Sequence, residues 1–202
     1  MWRILLFILY LLCFQSSYAN NDKNIKIICK NGEFKCKAYF FDKEFDVNIG
    51  KNSLTNDKQE GDLSTPIGIF QLESYVFYRN DDDIVVNPNL EIRKIQDNYK
   101  WCDDQKSKLY NKFFVLNDEM KDICHSYEDL LRKNGAYDYI VPIKYNDDPV
   151  VSGKGSAIFV HVKRGENIPT AGCVAFAKND LRFIIENIGN NATIDINFVK
   201  KN

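Results

Sequence analysis

The chain has 202 residues, with Lys+Arg 27 against Asp+Glu 28, and that length suits a single domain at about 100–200 residues each. Its 45% apolar content excludes a disordered chain, which lacks the apolar surface to offset chain entropy, and ten Gly with five Pro exclude collagen-like and low-complexity classes. A formal net charge of −1 lacks the basic surplus of a nucleic-acid binder, while fourteen Phe and eleven Tyr favour pleated surfaces.

Met1-Trp2-Arg3 opens the chain, followed by an unbroken apolar run over 4–14 and then Gln15-Ser16-Ser17-Tyr18-Ala19. This is the layout of a secretory signal peptide cut before Asn20. The run is too short for a membrane-spanning helix, which needs about 20 apolar residues. The expected layout is therefore a signal peptide over 1–19 and one domain over 20–202. The mature chain has Lys+Arg 26 against Asp+Glu 28, a net charge of −2. No later run reaches membrane length. The expectation is an exported protein of the periplasm or cell envelope, with no stable membrane span after cleavage.

Residues 26–29, the turn Asn31-Gly32 and residues 34–41 read as a β-hairpin. Residues 45–49 alternate apolar and polar and stop at Gly50; residues 67–72 form a short strand after Pro66. Residues 80–124 are polar and irregular, and read as long loops with short elements, the kind that carry function. Within them Asp81-Asp82-Asp83 reads as a solvated loop, because it lacks the ligand spacing and turn Gly of a calcium site. Ser126-Tyr127-Glu128-Asp129 resembles a capping box and predicts a helix closed by Gly135. Residues 139–141 are a strand, and the near-continuous apolar run 156–162 is a strand buried on both faces. Leu181, Ile184, Ile185 and Ile188 give a helix from Lys178 or Asn179 to Ile188, with Gly189 as its C-cap. Residues 193–199 place Ile194, Ile196 and Phe198 on one strand face. The fold class is mainly β with a few helices.

Cys13 leaves with the signal peptide, so five cysteines remain. An odd number in an oxidising compartment leaves at least one unpaired unless two chains join. Cys29 and Cys36 flank the Asn31-Gly32 turn and can face each other across it. Cys102 and Cys124 can then pair, which leaves Cys173.

Only two histidines are present, His125 and His161. By period-2 counting His161 shares a strand face with Ala157 and Phe159. Twelve residues on, Pro169-Thr170-Ala171-Gly172 turns the chain into Cys173 and a second apolar segment. If the two segments lie side by side, His161 and Cys173 face one another. A thiol needs a base to become a good nucleophile, and an imidazole that takes its proton leaves an ion pair that lowers the thiol pKa. Gly172 lets the turn's N–H groups converge on one spot, as an oxyanion hole requires.

The segment from His161 through Pro169-Thr170-Ala171-Gly172-Cys173-Val174 resembles the signature of the L,D-transpeptidase (YkuD-like) catalytic domain: a strand His, then Ser/Thr-x-Gly-Cys and an aliphatic residue. Lys58-Gln59-Glu60-Gly61-Asp62 with Thr65-Pro66-Ile67-Gly68-Ile69-Phe70 resembles that family's upstream segment. Tyr78-Arg79-Asn80-Asp81, Trp101-Cys102-Asp103-Asp104, Tyr110-Asn111, Tyr145-Asn146 and residues 153–159 are similar to one subgroup of small exported members. The matches span residues 47–199. Three positions depart from common family forms: Ala175 stands where many members have Arg, Val162 where many have Gly, and Tyr127 where the subgroup often has His.

The resemblance implies a mixed β-sandwich or sheet and a peptidoglycan-modifying cysteine acyl-transferase. It implies that Cys173 attacks a meso-diaminopimelate carbonyl of a tetrapeptide stem, releases D-alanine, and passes the thioester to an amine of another stem. His161 is then proton donor and acceptor, with a backbone carbonyl as third member, and the Gly172 and Cys173 N–H groups are oxyanion donors. Arg79 and Thr170 are candidate substrate contacts. No metal or cofactor is implied, and the partners are peptidoglycan stem peptides. Because Trp101-Cys102-Asp103-Asp104 is itself a motif of the subgroup, Cys102 either pairs with Cys124 or stays free. The alternatives are an L,D-carboxypeptidase, with water as acceptor, and a non-catalytic wall-binding module on the same fold.

Overall fold

A computed structural model describes residues 24–199; the expected signal peptide over 1–19 lies outside the described residues. The first half runs β1 (Ile25–Cys29), β2 (Lys35–Phe40), β3 (Lys43–Asn48), β4 (Leu54–Thr55), β5 (Thr65–Pro66), β6 (Gly68–Gln71), β7 (Tyr75–Tyr78), β8 (Glu91–Lys94) and β9 (Tyr99–Cys102). The second half runs β10 (Phe113–Val115), α1 (Asp118–Lys121), β11 (Tyr127–Asp129), β12 (Tyr139–Pro142), β13 (Phe159–Val162), β14 (Val174–Phe176), α2 (Lys178–Asn187) and β15 (Thr193–Phe198). Ten strands form one mixed sheet in the order β6-β15-β1-β2-β3-β14-β13-β12-β7-β8, and β10-β9-β11 form a second, smaller one. No helix among the described residues is long and apolar enough to cross a membrane.

The Asn31-Gly32 turn, with Gly32 at φ 79°, closes β1 on β2 and sets Cys29 opposite Cys36. The two are joined by a disulfide. Period-2 alternation then divides the large sheet into two faces. On one face Ile27, Val47, Val160, Val174 and Ile196 join a core that α2 covers with Leu181, Ile184 and Ile185. On the other face Phe77, Ile140, Phe159 and Cys173 join Trp101, Leu130 and Tyr137 in a second cluster beneath the small sheet. β13 shows the division within four residues: Val160 and Val162 belong to the first core, Phe159 to the second cluster.

Three expectations are corrected. The helix expected from Ser126 is instead β11, because Tyr127, Glu128 and Asp129 pair antiparallel with Cys102, Trp101 and Lys100. A capping box is a local signal, and this pairing with residues 27 or so positions earlier overrides it. The strand expected over 156–162 begins only at Phe159, because Ala157 has φ 52° and interrupts the alternation. Finally, α2 ends not on a left-handed Gly189 but on Ile188, which turns extended while its N–H bonds to the Ile184 carbonyl.

The expected polar loops are tied down by a second disulfide, Cys102 to Cys124. It leaves Cys173 as the one free cysteine among the described residues.

Candidate active site

β13 and β14 run parallel, with Val160 opposite Val174 and His161 opposite Ala175. Cys173, one residue before β14, is therefore level with Phe159. Alternation puts Cys173, Ala175, Phe159 and His161 on the same sheet face, with cysteine and histidine diagonal across adjacent strands. Both line one cavity of about 320 Å3, together with Lys58, Glu60, Asp103, Glu128, Arg132, Tyr137, Arg164 and Gly172 among others. Ala175 is buried beside His161 and contributes only a methyl group.

The turn before Cys173 is held by two threonines. Thr65 Oγ1 accepts the Gly50 N–H at 2.9 Å and donates to the Gly172 carbonyl at 2.8 Å. Thr170 Oγ1 accepts the Gly172 N–H at 3.1 Å and donates to the Cys173 carbonyl at 2.7 Å. Both threonines are buried. Gly172 itself has φ +146°, and a Cβ there would stand 3.0 Å from the Ser64 carbonyl oxygen. Backbone crowding and positive φ both require glycine at this position. This turn bears on two of the expected roles. The Gly172 N–H is bonded to Thr170 Oγ1 and so is not a free oxyanion donor, while Thr170, expected as a substrate contact, both lines the cavity and builds the turn. The Asp62 carboxylate takes the buried Lys58 ammonium at 2.6 Å, so the upstream motif forms part of the same wall.

The His161 Nδ1 lies 2.8 Å from the Val162 carbonyl oxygen. A carbonyl only accepts, so Nδ1 carries the proton and Nε2 holds the free lone pair. The Cys173 sulfur donates to the Ala157 carbonyl and accepts the Phe159 N–H, each at 3.3 Å. Burial pushes the thiol up to about 12, and burial holds the imidazole down to about 4. The resting pair is thus thiol and neutral imidazole, not the ion pair expected from the sequence. Desolvation disfavours both charged forms, and neither group is bonded to the other in this state.

The remaining wall was not foreseen as a unit. Arg132 forms an ion pair with Glu128 and lies 4.9 Å over the Tyr137 ring. The Tyr137 ring meets the His161 ring edge-on at 5.5 Å. Burial raises the Glu128 carboxyl above its ordinary range. Arg79 is elsewhere: its guanidinium is bound to Asp138, with Nε at 2.7 Å, and it does not line the cavity. Among the described residues no group of three or more His, Cys, Asp or Glu is arranged to hold a metal ion.

His161 links this geometry to pH. In an unfolded chain its imidazole takes a proton near pH 6.5, in the fold only near 4. Between those values the unfolded chain binds more protons, so stability rises with pH; it is fully present above about 6.5 and is lost as pH falls toward 4. At about 1.4 kcal/mol per pKa unit the contribution is about 3 kcal/mol. Glu128 acts in the opposite sense, so the readout is the difference in urea-unfolding free energy between wild type and His161→Gln. That difference is expected to shrink by about 2 kcal/mol between pH 7 and pH 5. A difference independent of pH would show that the imidazole is not held neutral.

Residues 20–196 match the YkuD family model, described as the L,D-transpeptidase catalytic domain. No curated protein and no solved structure matches the chain.

Proposed function

The chain belongs to the YkuD family of L,D-transpeptidase catalytic domains, and from that premise we propose that it is a peptidoglycan-acting acyl-transferase working through Cys173. The observation that carries the reading is the placement of Cys173 and His161 on one sheet face, opening into one cavity.

The thiol starts protonated and the imidazole neutral, so proton transfer accompanies attack. The Cys173 S–H proton passes to His161 Nε2 as the sulfur adds to the carbonyl carbon of the stem's L,D-peptide bond. His161 Nδ1 stays on the Val162 carbonyl and steadies the imidazolium that forms. With the Gly172 N–H occupied, the Cys173 N–H is the donor that meets the developing oxyanion. The C–N bond then breaks, and the departing amine of D-alanine takes the proton from Nε2. A thioester remains. An incoming amine attacks it, gives its proton to His161, and leaves an amide while sulfur departs and is reprotonated. This reading puts the working protein where its substrate is, in the periplasm or cell envelope, with residues 1–19 removed.

Purified protein incubated with a tetrapeptide muropeptide is expected to yield free D-alanine and a cross-linked dimer, both identified by mass. A trimmed tripeptide without dimer would make the protein an L,D-carboxypeptidase. Unchanged muropeptide would leave a wall-binding module.

A further inference from the structure

The turn before Cys173 leaves the backbone one oxyanion donor short of a pair. The Gly172 N–H is bonded to Thr170 Oγ1 at 3.1 Å, so only the Cys173 N–H remains to meet the developing charge. A second donor has to come from a side chain, and three cations line the cavity: Lys58, Arg132 and Arg164. Arg132 is ion-paired with Glu128 of the same wall, whose charge opposes that of Arg132 at the Cys173 thiol. Arg164 is exposed and donates to the Pro169 carbonyl at 3.2 Å.

Lys58 differs from both. Its side chain is only 3% exposed. The stem packs against two glycines: a Cβ on Gly155 would stand 3.2 Å from Lys58 Cε, and one on Gly172 would stand 3.6 Å from it. The ammonium, one bond beyond Cε, is thereby held beside the residue that precedes the nucleophile. An ammonium has three donors. Two are spent, on the Gln59 carbonyl at 2.7 Å and on Asp62 Oδ1 at 2.6 Å, and the third has no acceptor among the described residues. The Lys58 charge favours the Cys173 thiolate, so it acts where negative charge appears during the reaction. A buried ion pair adds little net stability over apolar side chains of the same shape, so pairing with Asp62 does not by itself account for a cation at this place.

We propose that Lys58 is a catalytic residue, whose third N–H donates to the oxyanion of the tetrahedral intermediate beside the Cys173 N–H. The inference rests on the reading of Cys173 as the acyl-transfer nucleophile. As sulfur adds to the carbonyl carbon, the π pair moves onto oxygen, which accepts both hydrogen bonds without taking a proton. When the C–N bond breaks, that pair returns and the carbonyl re-forms. Asp62 keeps the ammonium charged and aimed. A donor fixed in a site that excludes water strengthens as the charge develops and costs no reorganisation.

The test is steady-state release of D-alanine from a tetrapeptide muropeptide. Lys58→Met keeps the length of the stem and removes the charge, and kcat is expected to fall about 10²–10³-fold, the range of one oxyanion donor. KM is expected to stay close to wild type, because the bond forms only in the transition state. Asp62→Asn breaks the same ion pair but leaves the ammonium in place, and is expected to lower kcat by less than about tenfold. Should Lys58→Met fail to fold, Lys58→Gln carries the same comparison. A kcat for the neutral variant within about threefold of wild type, a loss confined to KM, or equal losses in the Lys58 and Asp62 variants would overturn the role of Lys58 alone. Wild-type protein that releases no D-alanine and forms no acyl-enzyme would end the acyl-transfer reading, and the role of Lys58 with it.

Discussion

Cys173→Ala is expected to abolish muropeptide turnover and all covalent adduct formation while leaving the urea-unfolding midpoint close to wild type. The substitution removes the one free thiol on the described chain and little volume. His161→Asn is expected to lower turnover by about 10²–10⁴-fold, the range of a general base. The resting pair makes a sharper statement possible. Because burial keeps the thiol near 12 without help from the imidazole, iodoacetamide is expected to label Cys173 slowly at pH 7 in wild type and in His161→Asn alike. A thiolate already formed by His161 would label fast in the first and slowly in the second. Since the two residues act as one unit, the double variant is expected to be no worse than Cys173→Ala. Turnover that survives Cys173→Ala would end the mechanism.

Phe159→Ala carries the largest expected loss of stability, about 4 kcal/mol. The ring is fully buried and lies edge-on against both Trp101 and Tyr137, at 4.9 and 6.1 Å. It is therefore a central link between the large sheet and the β10-β9-β11 layer. Removing it leaves a cavity that the backbone cannot collapse to fill, because β13 is held between β12 and β14. Against a typical total of about 5–15 kcal/mol, the loss is large. The measurement is urea unfolding with intrinsic fluorescence, where Trp101 itself reports. A cost below about 1 kcal/mol would mean that the small sheet is held by other contacts.

What the sequence made legible follows the range of the interactions involved. The hairpin at Asn31-Gly32, the helix carrying Leu181, Ile184 and Ile185, and the alternation of Ile194 and Ile196 depend on neighbours a few residues away. The His161 and Cys173 pairing was legible because only residues 163–173 separate their two strands in the chain. The β9 to β11 pairing was not, since Trp101 and Glu128 meet across 27 positions and local capping chemistry around Ser126 pointed to a helix. Arg79 misled for the same reason: its partner Asp138 is 59 residues away. The charge states of Cys173 and His161 were hidden as well, because they depend on how completely the surrounding layers exclude water, and no spacing of residues encodes that.

The strand order has a consequence for how the molecule is made. β15, the last strand along the chain, enters between β1 and β6, two of the earliest. Until residues 193–198 emerge, both of those strands present open edges, and open edges invite pairing with other chains. The eight strands from β1 through β13 to β8 in sheet order have been synthesised by then, but β6 has no partner until β15 arrives. Closure waits on a contact between the two ends of the described chain, Ile25 against Ile194, and such distant contacts place folding in the slow, millisecond-to-second class of β-rich proteins. During that interval the polypeptide is at greatest risk of aggregation, and any factor that holds it unfolded until synthesis ends would favour the native sheet.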